Sequence, residues 1–309
     1  MASFTAKDVQ ALREKTNVGM MDCKKALVEA DGDMDKAIDI LREKGLATAA
    51  KKAGRIAAEG IVVAYNDEEK KVGVVVELNI ETDFAAKNES FKEFAFDVAK
   101  TIVENNPADV EALYETKFIG SDMTVKDAQN EVFMKIRENM NIRRFERVEG
   151  PVATYVHAGG SVGVMVLFDA DDATASKEEF KVMGKDVAMQ IAAMSPQYVC
   201  PKCVPDDVVE HEKGIQMAQI KADPKMANKP EKVLENIIGG KINKFFKEIC
   251  LVEQAFVKDG DISVGKYVEN VAKEIGSDIK VKSFIRFAKG EGMEKKEDDF
   301  AAEVASMMK

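Results

Sequence analysis

The stretch GIVVAYNDEEKKVGVVVELNIETDF, residues 60–84, decides the fold because the chain carries a second version of it, GPVATYVHAGGSVGVMVLFDADDAT, at residues 150–174. At an offset of 90 residues, Tyr65 aligns with Tyr155, and valines and a glycine that follow them in sequence also align. A period of this length exceeds the roughly 20 to 50 residues of solenoid repeats. The repeat therefore predicts two similar subdomains.

The similarity resumes downstream of both stretches. FKEFAFDVAKTI, beginning at Phe91, matches FKVMGKDVAMQI, beginning at Phe180, and the offset there is 89 residues. One residue is therefore lost in the loop that separates the two matching segments. At the offset of 90, Asp83 and Phe84 correspond to Ala173 and Thr174.

Each version predicts a β-hairpin followed by a helix. Aliphatic and β-branched runs lie on either side of the polar residues 66–69, which suits two strands and a turn. Ser90 and Glu93 form a capping-box signature, and the helix that follows has an apolar face. Helices packed on antiparallel sheets give an α+β fold class.

Other segments predict helices. Residues 5–44 indicate three short helices, with Gly32 and Gly45 as stop signals and a charged linker at 51–55. Thr124 to Met140 predicts one capped amphipathic helix.

The last third of the chain predicts three further elements. Residues 206–250 indicate an inserted antiparallel helical hairpin, whose second helix begins at Pro230. The stretch IKVKSFIRFA, residues 279–288, predicts a strand, and DDFAAEVASMMK at the C-terminus predicts a short helix.

Charge, apolar segments and cysteine content argue against several classes of protein. The net charge of −10 and the pI of about 5.1 disfavour direct binding of nucleic acid. The N-terminus lacks the apolar core of a signal peptide, and no apolar run is long enough to span a membrane, so we expect a cytoplasmic protein. The four cysteines do not form a disulfide framework, and we expect free thiols.

Asp83 and Phe84 form the strongest candidate site. A core role for Phe84 should recur where the core recurs, yet the repeat lacks the aromatic. An acid beside an aromatic on a loop suits insertion into another molecule. The alternative is that Phe84 folds back onto its own helix.

Cys200 and Cys203 form a lone CxxC pair, which supplies only two of the four ligands of a closed zinc site. The pair follows a helical segment and lies between prolines, unlike a thioredoxin-type motif. We favour a proline-rich turn with two incidental thiols. His157 has no nucleophile or acid patterned near it, which favours a solvated turn residue over a catalyst.

Met20 and Met21 are adjacent on a predicted helix, so they cannot both face one core. We expect one of them to be buried, and the other is a candidate adaptable contact. Neither a Walker A loop nor a dinucleotide-binding glycine motif occurs, and no pattern indicates an enzyme.

Four segments closely resemble translation elongation factor Ts of the bacterial type with an inserted helical hairpin. They are TNVGMMDCKKAL at 16–27, NIETDFAAKN at 79–88, NIRRFERVEG at 141–150 and FIRFAKGEGMEKKEDDFAAEVA at 284–305. The resemblance covers nearly the whole chain in order.

The resemblance implies four units. They are a small three-helix module of the ubiquitin-associated type with its linker at 1–54, a core N-terminal subdomain at 55–149, a core C-terminal subdomain with the hairpin at 150–291, and a C-terminal module at 292–309.

The resemblance also implies a function, that of a guanine nucleotide exchange factor for elongation factor Tu. In the family the Asp-Phe pair enters the GTPase domain near its magnesium and phosphate site, and here the pair is Asp83 and Phe84, preceded by Thr82. The factor would hold no cofactor or metal of its own and would act on the Mg-GDP complex of its partner.

The resemblance implies further contacts with the GTPase domain and a second surface of the partner. By position these are Met20, Met21, Lys24, Ile136, His157 and Val257. Whether the complex is a dimer of heterodimers is left open. Two rival classes remain: an assembly module that binds without accelerating release, and a redox or metal protein centred on Cys200 and Cys203.

Overall fold

The computed structural model describes residues 4–16, 18–222 and 230–293. Its elements, in chain order, are α1 (Ala6–Thr16), α2 (Met20–Glu29), α3 (Met34–Lys52), β1 (Glu59–Asp67), β2 (Val72–Ile80), α4 (Asp83–Ala86), α5 (Glu89–Asn105), α6 (Val110–Glu115), α7 (Val125–Ile136), β3 (Met140–Glu149), β4 (Val152–His157), β5 (Val162–Asp169), α8 (Asp172–Ala175), α9 (Glu178–Met194), α10 (Asp206–Ala222), α11 (Glu231–Ile249), β6 (Ala255–Phe256), β7 (Asp259–Ser263), α12 (Val264–Ile275) and β8 (Lys280–Ala288). The predicted C-terminal helix lies outside the described residues.

The predicted α+β class is confirmed. One antiparallel sheet has the strand order β1-β2-β3, and the other has the order β4-β5-β8. Both hairpins of the internal repeat therefore form, and each gains a third strand from farther along the chain. The predicted strand at 279–288 is β8.

The two sheets pack face to face and carry helices on their outer faces. Helices α5 and α7 cover the first sheet, and α9 and α12 cover the second. Between the sheets lies a separate apolar cluster that includes Val75 and Met165. An added Cβ on Gly73 would lie 2.6 Å from the sulfur of Met165, so the glycine permits this close approach.

The N-terminal module contains the three predicted helices around buried Leu12, Cys23 and Leu27. The predicted helix end at Gly45 is wrong, because α3 continues through it to Lys52. A Cβ at Gly45 would lie 2.7 Å from Met134 of α7. The glycine therefore permits close helix packing rather than ending a helix, and the first two residues of the predicted linker, Lys51 and Lys52, are helical.

Two other predicted helix boundaries are wrong. Helix α5 is capped by Asn88, whose side chain accepts from the Ser90 N–H at 2.9 Å, and not by Ser90. Helix α7 begins at the predicted Thr124 capping box but ends at Ile136. Arg137 has a φ of 65°, which ends the helix, and Met140 begins a strand instead.

The helical hairpin of α10 and α11 is confirmed, and Pro230 caps its second helix. At its root, Cys200 and Cys203 form a disulfide, so the expectation of four free thiols is wrong for this pair. Their Cα atoms are 5.2 Å apart because a short 3₁₀ turn at Pro201–Cys203 folds the backbone back. Cys23 and Cys250 are free and buried.

In the described part of the chain, we find no helix with both the length and the apolar character that crossing a membrane requires.

Candidate partner-binding site

Helix α4 presents Phe84 to solvent on a single helical turn. Thr82 caps the turn by accepting from the Ala85 N–H at 3.1 Å, and Ala85 and Ala86 are buried against the core of the first sheet. Phe84, on the opposite side, is 84% exposed. The alternative that Phe84 folds back onto its own helix is therefore wrong.

Glu138, in the turn after α7, bonds to Thr82 at the start of α4. Its carboxylate accepts from the Thr82 backbone N–H at 3.0 Å and from the Thr82 hydroxyl at 2.9 Å. The neighbouring Asn139 N–H donates to Glu81 at 2.6 Å. The loop that carries Phe84 is therefore attached to the turn after α7 by side chains 56 residues away in sequence.

Asp83 is exposed and ionised. Lys87 donates to its carboxylate at 2.7 Å, and this hydrogen bond, with the Lys87 charge, lowers the pKa of Asp83. The charge of Lys289 lowers it further. The acid therefore stays negatively charged and faces solvent beside the aromatic ring.

The second copy contains the same helical turn, and its position corrects the predicted alignment. Helix α8 begins after the side-chain cap of Asp171, which lies 89 residues beyond Thr82. The single lost residue therefore lies before the turn, so Asp83 corresponds to Asp172 and Phe84 to exposed Ala173. The acid recurs in the second copy, and only the aromatic does not.

Helix α2 presents a second exposed apolar surface. Met20 is 42% exposed and Met21 is 63% exposed, and Lys24 is also exposed. The expectation that one of the two methionines is buried is wrong, because Cys23, Ala26 and Leu27 supply the buried face of α2.

The turn after α7 connects this surface with α4. The guanidinium of Arg137 donates to Asp22 of α2 at 3.2 Å, and the Lys52 ammonium donates to the Arg137 carbonyl oxygen. Ile136 precedes this turn and is half-buried against the core of the first sheet. The structure thus brings the Met20–Met21 surface, Ile136 and the Asp83–Phe84 loop together.

His157 is the exposed last residue of β4, and the hydroxyl of Tyr155 lies 3.1 Å from its Nδ1. The turn that follows docks on the first sheet, where the Val62 N–H donates to the Gly160 carbonyl oxygen at 2.8 Å. Lys289, whose charge acts on Asp83, donates from its backbone to the Ser161 carbonyl oxygen. His157 therefore belongs to a hairpin on the same side of the sheets as the loop.

Val257 lies apart, on the turn between β6 and β7, and is 45% exposed. Its N–H donates to Gln190 of α9 at 2.8 Å. The next residue, Lys258, pairs with Asp186 of α9 at 2.6 Å. This turn is therefore a second, separately anchored candidate contact.

The rival metal site lacks ligands in the part of the chain that the structure describes, where no group of three His, Cys, Asp or Glu side chains could hold an ion. Cys23 and Cys250 lie in separate apolar clusters. Burial raises the pKa of Cys250 to about 11, so its thiol stays protonated near neutral pH.

The contacts of Glu138 and Arg137 were missed by sequence reasoning. Both side chains fall in what the sequence predicts to be the last turn of a continuous helix. The alternating run of strand type after Asn139 could have indicated that the helix ends near Ile136, but no sequence signal identifies the contacts themselves.

The family model described as "Elongation factor TS" matches residues 81–291. The chain belongs to the elongation factor Ts family. Elongation factor Ts of Syntrophotalea carbinolica is 50% identical over 309 residues, covering 99% of both chains. Elongation factor Ts of Clostridium botulinum (strain ATCC 19397 / Type A) is 48% identical, covering 99% of this chain and 98% of its own. That of Trichlorobacter lovleyi is also 48% identical and covers 98% of each.

The match includes α4, the turn at 137–139, His157 and Val257. Membership of the elongation factor Ts family implies a nucleotide exchange factor for elongation factor Tu in translation. The α2 surface precedes the residues that the family model matches but lies within the span shared with the full-length relatives.

Proposed function

We propose that this chain accelerates GDP release from elongation factor Tu by inserting Asp83 and Phe84 beside the Mg²⁺ and phosphate site of the GTPase domain. The observation that carries the proposal is the 84% exposure of Phe84 on a capped turn whose base is buried. A large apolar side chain held out in this way gains free energy only when another molecule buries it.

The mechanism is thermodynamic linkage. A factor that binds the nucleotide-free GTPase more tightly than the GDP-bound form weakens GDP binding by the same ratio. No chemical step is required, so the chain acts as an exchange factor rather than as an enzyme. Phe84 supplies apolar contact that is fully formed only when the nucleotide site is open.

Asp83 supplies the electrostatic part. A carboxylate that stays ionised competes for the cation and for the N–H groups that hold the phosphates of GDP. Loss of Mg²⁺ and of these N–H contacts weakens the hold on GDP. The chain needs no metal or cofactor of its own, since the ion and nucleotide both belong to the partner.

The remaining contacts form two surfaces. The first consists of Met20, Met21 and Lys24 of α2 with Ile136, and it lies next to the inserted loop. The methionine side chains are flexible and suit an apolar partner surface that changes shape. The second lies on the second subdomain, where His157 and the separately anchored Val257 would each make a contact of its own.

Stopped-flow release of a fluorescent GDP analogue from elongation factor Tu tests the proposal. Phe84→Ala removes the side chain that would insert into the partner, which we call the wedge. It should lower the release rate at least about tenfold, while the thermal midpoint stays within about 2 °C of wild type. The matched control is Val182→Ala on α9, which also removes an exposed apolar side chain.

Three outcomes separate the alternatives. If Phe84→Ala releases GDP as fast as wild type, the inserted-loop mechanism is wrong, and the α2 surface becomes the source of exchange. Binding of elongation factor Tu without faster release would make the chain an assembly module. A thermal midpoint that falls by many degrees would show that Phe84 supports the fold.

A further inference from the structure

The turn formed by Arg137, Glu138 and Asn139 contacts both the N-terminal module, which carries the α2 surface, and the loop that carries Asp83 and Phe84. It bonds to the N-terminal module through Asp22, Lys52 and the backbone near Arg55, and to the α4 loop through Glu81 and Thr82. These contacts involve all three consecutive residues. In the described chain, neither Phe84 nor the α2 methionines make side-chain hydrogen bonds that connect the N-terminal module with the α4 loop.

Glu138 is the member of this turn that determines the geometry of the Thr82 cap. A hydroxyl has one proton, and that of Thr82 points to the Glu138 carboxylate at 2.9 Å. The hydroxyl oxygen is then free to accept from the Ala85 N–H at 3.1 Å, which forms the cap of α4. The carboxylate also fixes the Thr82 backbone through its N–H at 3.0 Å.

Helix α4 depends on this cap more than a long helix would. It has four residues, and a single helical turn is unstable alone because nucleation costs more than one hydrogen bond returns. Burial of Ala85 and Ala86 holds one side of the turn, and the cap holds its start. The direction of the exposed Phe84 ring follows from both.

The opposite end of the turn is equally constrained. Arg137 has a φ of 65°, and its N–H donates to Phe133 at 2.7 Å, so the backbone direction after α7 is set by the helix end. The Asn139 side chain donates to the Arg55 carbonyl oxygen at 2.8 Å. Glu138 thus projects from a backbone that is fixed on both sides.

We infer that Glu138 is a positioning residue for nucleotide exchange, which aims the Asp83–Phe84 loop at a fixed distance from the α2 surface. This inference rests on the proposed function and deepens it. Glu138 need not touch the partner. It acts through Thr82, so that the loop enters the nucleotide site without first losing conformational freedom.

The test is the GDP-release assay at increasing concentrations of the factor. Glu138→Ala should lower the maximal release rate about tenfold, because a misdirected wedge enters less often. The concentration at half-maximal rate should change less than about twofold, since the α2 surface still binds. A merely structural loss of folded protein would leave the rate at saturation unchanged.

The matched control is Glu131→Ala. Glu131 lies on α7, is partly exposed, and pairs with Arg42 of the N-terminal module at 3.0 Å, but it makes no hydrogen bond to the α4 loop in the described chain. Its removal should leave the maximal rate within about twofold of wild type. An equal loss for Glu131→Ala would overturn the assignment to Glu138.

A double-mutant cycle with Phe84→Ala separates the inference from the proposed function. If Glu138 acts through the wedge, Glu138→Ala should slow release less than about twofold once Phe84 is absent. Equal losses in both backgrounds would overturn the inference and leave the wedge intact. A Phe84→Ala variant with full activity would overturn both, whereas full activity of Glu138→Ala alone would overturn only the inference.

Three further variants keep the test decisive if Glu138→Ala does not fold. Thr82→Ser keeps the hydroxyl and should retain most of the rate, whereas Thr82→Val removes the group that Glu138 holds and should reproduce the loss. Glu138→Gln keeps the size but lacks one acceptor, so an intermediate rate is expected. Equal rates for Thr82→Ser and Thr82→Val would overturn the inference.

Discussion

Helices α4 and α8 follow the central strands of the two sheets and differ at one functional position. Both begin at a side-chain cap and bury their third residue, Ala85 or Thr174. The second residue is exposed in both, as Phe84 in α4 and as Ala173 in α8. The repeated fold thus supplies the same platform twice, and only one copy carries a large apolar group on it.

The acids on the two turns also differ in what they contact. Asp83 pairs with Lys87 on its own turn at 2.7 Å, whereas Asp172 pairs with Lys71 of the first subdomain at 2.5 Å. The first acid therefore stays with the wedge, and the second contributes to the contact between the subdomains. Similar backbone positions thus face solvent with a local ion pair in one copy and join the two subdomains in the other.

The largest expected effects concern residues that the two copies share. Phe91 and Phe180 are the third residues of the matching helices α5 and α9, and both are buried. Alanine at either position should cost about 3 to 5 kcal/mol in unfolding free energy, because it leaves a large cavity. Urea unfolding measures both, and a cost below about 1 kcal/mol at one position would show that the copies do not share a core.

The next effect distinguishes the two central strands. Burial alone raises the pKa of Glu77, but the Gly290 N–H and the Arg144 guanidinium bond to its carboxylate, and the net pKa is lowered. In the second copy, apolar Leu167 precedes the corresponding irregularity in β5. Glu77→Gln should cost about 2 kcal/mol at pH 7, because Arg143 and Arg144 lose the carboxylate that both pair with.

The stabilisation that Glu77 provides should depend on pH, and it should be lost as the pH falls. A lowered folded-state pKa means that Glu77 stabilises the fold above its ordinary value of 4.5, and the contribution is lost as the pH falls below it through the folded value. The stability difference between wild type and Glu77→Gln should therefore shrink below about pH 4.5. Leu167→Ala should show a cost that does not change with pH, and a pH-independent Glu77→Gln would contradict the ionic account.

A graft tests whether the position of the wedge matters. Adding Ala173→Phe to Phe84→Ala restores an exposed aromatic beside an acid, on the second turn instead of the first. The release rate should stay at the Phe84→Ala level, about tenfold or more below wild type, because no hydrogen bond among the described residues joins α8 to the turn at 137–139 as Glu138 joins α4 to it. Recovery of the wild-type rate would show that either turn can enter the partner.

The smallest effect concerns the buried residue of α8. The Thr174 hydroxyl donates to Ser277 at 2.6 Å, and its counterpart Ala85 has no such group. Thr174→Val should cost about 1 kcal/mol in stability, since one buried hydrogen bond is lost. Thermal unfolding measures that cost, and the GDP-release rate should not change; a slower release would assign the second turn a role in exchange.

Much of the fold could be predicted because its elements depend on residues that are close together in sequence. The repeat around Tyr65 and Tyr155, the alternating valines and the Pro230 start of α11 all depend on near neighbours in sequence. The errors have non-local causes. Gly45 resembles a helix end until Met134 is packed against it, and one deleted residue in the repeat cannot be placed within a loop without the caps of α4 and α8.

The candidate site was predictable in part for the same reason. The exposed pair Asp83–Phe84 stands out because its repeat lacks the aromatic. The contact between Thr82 and Glu138 could not be found, since a carboxylate accepts from any donor and the two residues are 56 apart. Likewise, the disulfide of Cys200 and Cys203 depends on the 3₁₀ turn that brings them together, and the CxxC spacing alone does not show whether such a turn forms.

The strand order of the two sheets has a consequence for synthesis. The first sheet contains β1, β2 and β3, which all emerge from the ribosome before residue 150, whereas the second waits for β8, beyond the hairpin helices. Local pairings form faster than distant ones, and domains fold as they emerge. The turn that carries Asp83 and Phe84 is therefore shaped while most of the second subdomain is untranslated, and the Gly290 N–H is the last donor to reach Glu77.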